Sequence, residues 1–125
     1  VVPAGAPSNT AVGPLIEDQR GSTTTFSANA AGCFDVLTGL AGCGAKVLNR
    51  LACSASACCT CNDLDAFEAC RVKATSGAEP CVALLDDACR QATLSSGALN
   101  TCLAASTTSA ENIALGKRVA AAFCK

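Results

Sequence analysis

Residues 43–61 read CGAKVLNRLACSASACCTC, and the fold class turns on this stretch. Leu51 lies four residues after Val47 and three after Leu48, which puts all three on one face of a helix near 45–53. Cys43 stands just before that helix and Cys53 at its end. Cys58, Cys59 and Cys61 then close the stretch as a CCxC knot. A helix bracketed by cysteines points to an all-α, disulfide-stapled bundle.

The same pattern continues on both sides. Phe34, Leu37 and Leu40 are three apart and predict a helix over 30–40, with Gly42 as its stop. Residues 36–41 and 47–52 share a VLxxLA pattern eleven residues apart, close to three helical turns, as a short local echo. A third helix starts at Asn62 or Asp63 as N-cap, with Leu64, Phe67 and Cys70 on one face. A fourth spans 80–94, with Pro80 in its first turn and Leu84, Leu85, Ala88 and Cys89 facing inward. A short fifth covers 98–104. For the last, Thr108 and Glu111 form a capping box, and Ile113, Leu115, Val119 and Phe123 supply the apolar positions. The bundle therefore has five or six short helices.

Eleven cysteines in 125 residues signal an oxidising, extracellular setting, and a signal segment already removed fits a chain that begins at Val1 and has no methionine. The core is small in side-chain volume: alanine, valine and leucine dominate, with four phenylalanines and no tryptophan or tyrosine. Burial contributes roughly 25 cal/mol per Å², so disulfides at about 2–4 kcal/mol each matter. Cys33, Cys43, Cys53, Cys70, Cys81, Cys89, Cys102 and Cys124 each fall near a helix end or on an apolar face. The connectivity is open. Ten cysteines allow five internal bridges and leave one over; Cys124 and Cys33 are the candidates for a bond to another chain or a free thiol.

Residues 1–28 differ in kind. They hold three of the four prolines and no cysteine. This is an extended arm, 1–28, leading into a helical domain, 29–125. Val12, Leu15, Ile16 and Phe26 are its candidate assembly contacts, and Thr23-Thr24-Thr25-Phe26 predicts a short strand near 22–27. Such an arm lies either on its own domain or on a neighbouring subunit.

Chemistry finds little support. Cys58 and Cys61 form a CxxC, but a thioredoxin-like site needs a βαβ context and a zinc site needs a second pair. The expected role is a turn whose cysteines bridge to different helices. Asp86 and Asp87 are adjacent, so on a helix they diverge by about 100° and do not converge on one substrate; no aromatic platform accompanies them or the Asp63/Asp65 pair. With no histidine, Ser-His and Cys-His pairs are out of reach. A non-enzymatic protein without cofactor or metal is expected. A net charge of −1 and the lack of aromatic stacking surfaces argue against nucleic-acid binding. Asp35, Lys46, Arg50, Asp86 and Asp87 interrupt the longest apolar stretches, so no membrane span is expected.

Cys59-Thr60-Cys61 followed by Cys70 resembles the CxC…C segment of fungal extracellular CFEM domains, and is loosely similar to plant lipid-transfer proteins, which carry CC and CxC elements. The resemblance covers about a dozen residues. The CFEM aspartate before CxC is replaced here by the run Ser54 to Cys58, and the CC and CxC elements are fused, so no ligand residue carries over. Two functions are therefore expected. The first is a secreted structural subunit of an extracellular assembly, a fibre or surface coat, linked as a homo-oligomer or polymer through the arm and disulfides. The second is a small secreted binding module: a carrier of lipid, sterol or haem, or an effector that engages a host protein.

Overall fold

The computed structural model describes residues 2–3, 13–76, 81–103 and 109–124. Its described elements are three strands, β1 (Val2–Pro3), β2 (Leu15–Arg20) and β3 (Thr23–Ala28), and six helices, α1 (Ala30–Thr38), α2 (Cys43–Ala57), α3 (Leu64–Ala74), α4 (Asp87–Ser96), α5 (Ala98–Cys102) and α6 (Ser109–Phe123). The small helical, disulfide-rich bundle expected from the sequence is what forms.

The N-terminal segment contains a hairpin. Gly21 and Ser22 make a two-residue turn in which Gly21 takes φ 64°, a left-handed conformation that glycine adopts without a Cβ penalty. Arg20 then faces Thr23, and the antiparallel register runs back to Leu15 opposite Ala28. β1 pairs in parallel on the far side of β2, Val2 beside Ile16. In the order β1-β2-β3, β3 is the outer strand among the described residues, and its Ala28 end packs toward the helical core beside α6.

Asn29 joins hairpin to bundle. It is fully buried. Its Oδ1 accepts from Gly32 N at 2.9 Å, capping α1, while its Nδ2 donates to Gly13 O at 2.8 Å. Its backbone N–H donates to Pro14 O at 2.7 Å. α1 stops earlier than the apolar spacing suggested, because Gly39 takes the left-handed C-cap; Leu40 is exposed as a result. Gly42, expected as a stop, is instead the N-cap of α2. Asp35 is buried and accepts from Gly42 N at 2.9 Å and Gly44 N at 2.7 Å, satisfying orphan donors at the start of α2. At Gly44 the two helices nearly touch: a Cβ there would sit 1.9 Å from the carbonyl oxygen of Ala31.

The helix expected over 80–94 breaks in two. A 3-10 turn spans Val82–Leu84, Leu85 is extended, and Asp86 caps α4 by accepting from Cys89 N at 2.9 Å. The capping preference of aspartate overrides the apolar spacing, and Leu84 and Ala88 are exposed rather than inward. Asp63 caps α3 as expected, accepting from Ala66 N at 2.8 Å. Leu64, however, is exposed, and α3 buries no residue fully. Pro80 and Thr108 lie outside the described residues.

All eleven cysteines are described, and they form four bridges: Cys33–Cys102, Cys43–Cys89, Cys53–Cys81 and Cys58–Cys70. The pairs are nested, each inside the one before. The first two lie in the core itself, with Phe34, Val47, Ala98, Val119 and Ala122. Sequence separations of 69, 46, 28 and 12 correspond to about 3–4.5 kcal/mol each in the chain-entropy picture, less when nested. The expected fifth bridge is absent, leaving Cys59, Cys61 and Cys124 free. Cys33 is fully buried and bonded to Cys102, so it is not available as a free or interchain thiol.

Candidate functional site

The bundle is open on one side. α2 contributes Val47, Arg50, Leu51 and Ser54, spaced i, i+3, i+4 and i+7 along a single face. Across from it, Arg71 and Val72 near the end of α3 and its C-cap Thr75 form a second wall. Leu85, then Arg90, Thr93 and Leu94 of α4, and Leu99 of α5 complete the lining. The cavity measures about 380 Å³, within the range of small-molecule sites.

The disulfides set this geometry. Cys43–Cys89 ties the first turn of α2 to that of α4, and Cys58–Cys70 ties the end of α2 to α3. Arg50 Nη2 adds a strut by donating to Thr75 O at 2.7 Å. Because α3 is held mainly at its edges, its apolar Val72 stays at the mouth, 65% exposed; Leu94 opposite is 61% exposed and Leu99 40%. An apolar mouth of this kind marks a binding surface more often than a random surface position.

Among the described residues, the charged residues of the lining are three arginines, and no carboxylate lines the cavity. Arg71 Nη2 donates to Glu68 Oε2 at 3.1 Å, and Arg90 Nη2 to Asp87 Oδ1 at 2.9 Å. Arg50 has its Thr75 carbonyl partner and no acidic one among the described residues. Arg71 Nε is buried and without a hydrogen-bond partner among the described residues. A buried donor left without a partner costs about 1–3 kcal/mol.

The residues singled out from the sequence fall elsewhere. Cys58 ends α2 and bridges to Cys70 in α3, while Cys59 is exposed and Cys61 half-buried on the same turn, held by Cys61 N donating to Cys58 O. Cys124, after α6, is exposed. Among the described residues no three histidine, cysteine or carboxylate side chains gather as a metal site, and no helix is long and apolar enough to cross a membrane. Asp86 meets Lys46 in an exposed ion pair and caps α4, so the Asp86-Asp87 pair has structural partners on both residues. Of the arm positions, Leu15 and Ile16 are half-buried, Phe26 is 59% exposed, and Val12 lies outside the described residues. The arginines escaped the sequence reading because nothing in their spacing shows that α2, α3 and α4 surround one space. No protein-family model matches this chain, and no curated protein or solved structure is significantly similar to it.

Proposed function

We propose that this protein is a secreted, non-enzymatic binding module that holds a small apolar molecule between α2, α3, α4 and α5. The cavity of about 380 Å³ with its exposed leucine and valine mouth carries this reading. Two features support it. The walls are cross-linked, so the space is preformed and little ordering is required on binding. The N-terminal hairpin is tied to its own bundle through Asn29, and none of its described residues lines the cavity. Titration with the apolar dye Nile red tests it: saturable one-to-one uptake is expected, and Leu94→Asp, which places a charge in the mouth, abolishes it. Absence of saturable uptake by the native protein would refute the reading.

A second reading, a subunit of an extracellular assembly, draws support from β3. Its outer edge, TTTFSA, is exposed and carries no charge, proline or bulge of the kind that protects edge strands. Antiparallel pairing of two such edges would give a homo-oligomer. Light scattering at rising concentration, alongside Thr25→Lys, decides it: a monomer that Thr25→Lys leaves unchanged removes this reading.

A further inference from the structure

We infer that the ligand of the cavity is a linear amphiphile ending in a single carboxylate, its chain along Val47, Leu51, Leu85 and Leu94 and its head at the arginines. This rests on the binding-module reading above and adds the ligand's chemistry. Arginines from three separate helices line one small space whose other described lining residues are valines, leucines and the hydroxyls of Ser54, Thr75 and Thr93, with no acidic residue among those described. An anion bound among them would meet guanidinium donors from three helices and no carboxylate in the lining described.

The charge balance selects the head group. Glu68 and Asp87, outside the cavity, each neutralise one guanidinium. Arg50 has no acidic partner among the described residues, so those residues leave the cavity lining one positive charge in excess. A monoanion matches it; a phosphate monoester would overshoot. A carboxylate also fits a guanidinium fork, accepting two parallel N–H bonds, and Arg71 on the facing wall presents a second guanidinium to the same space. The cavity size selects the tail. At about 380 Å³ the space lies at the small end of small-molecule sites, which suits a medium-length chain.

Calorimetric titration of the whole protein with decanoate, decanol and decyl phosphate is the test. Decanoate is expected to bind one to one, with decanol and decyl phosphate each weaker by about tenfold or more. Arg50→Gln is expected to weaken decanoate by about tenfold and to leave decanol unchanged. Should Arg50→Gln lose decanol as well, the strut to Thr75 has failed, and Arg90→Gln, on the exposed rim, replaces it with the same expectation at smaller size. Decanol binding as tightly as decanoate, or both arginine variants binding decanoate like the native protein, overturns the carboxylate while the cavity reading stands. Binding of none of the three ligands overturns both.

Discussion

Asn29 does two jobs with one amide: its oxygen starts α1 and its nitrogen holds the backbone at Gly13. Asn29→Asp keeps the first job and reverses the second, because a carboxylate oxygen would then face a carbonyl in a buried setting. A loss of about 2 kcal/mol is expected by urea unfolding, with Asn29→Ser, which keeps the cap, losing less. Asp86 is the titrating counterpart. Its hydrogen bond to Lys46, then that from Cys89 N, holds its carboxyl below the ordinary value of 3.8. A lowered folded value means that the stabilisation is present at neutral pH and fades as the acid range below 3.8 is entered. Asp86→Asn is therefore expected to melt below the native protein at pH 7, with the gap closing as pH falls through that range, read by thermal melts across pH.

At the scale of elements, glycines make the clearest contrast. Gly44→Ala would drive a methyl group into the backbone of Ala31, which no rotamer change relieves, and is expected to cost about 3 kcal/mol or more. Gly116, inside α6, has open space around a would-be Cβ; Gly116→Ala is expected to stabilise by about 0.5–1 kcal/mol. Paired denaturation curves check both. Helix positions were legible from apolar spacing, since Phe34, Val47 and Val119 do form the core. Spacing misled where a polar side chain claimed a backbone N–H instead, as Asp86 does at α4. β2 was missed because Leu15 and Ile16 precede a polar run, Glu17 to Arg20; the Gly21-Ser22 pair between two six-residue segments was the signal for it. The groove was not legible at all. Arg50 reads in sequence as an interruption of an apolar stretch, and becomes part of a site only once bridges bring α3 and α4 beside α2.

For the whole molecule, cysteine replaces bulk. Four of the nine core residues are half-cystines, so the core depends on cross-links as much as on apolar area. Replacing Cys33 and Cys102 by alanine is expected to cost more than replacing Cys58 and Cys70, about 4 against about 3 kcal/mol from loop length alone, plus the loss of buried sulfur. Guanidinium unfolding of the two double variants checks the order.

The nesting of the four bridges also divides the chain by what survives a cut. Any single backbone cleavage between Cys33 and Cys102 leaves every piece covalently joined, because at least the outermost bridge spans it. The hairpin and α6 lie outside that span and pack against one another by contacts alone. A protease acting on the native protein would therefore trim the molecule from both ends and leave a cross-linked remnant, and that remnant contains every residue of the groove.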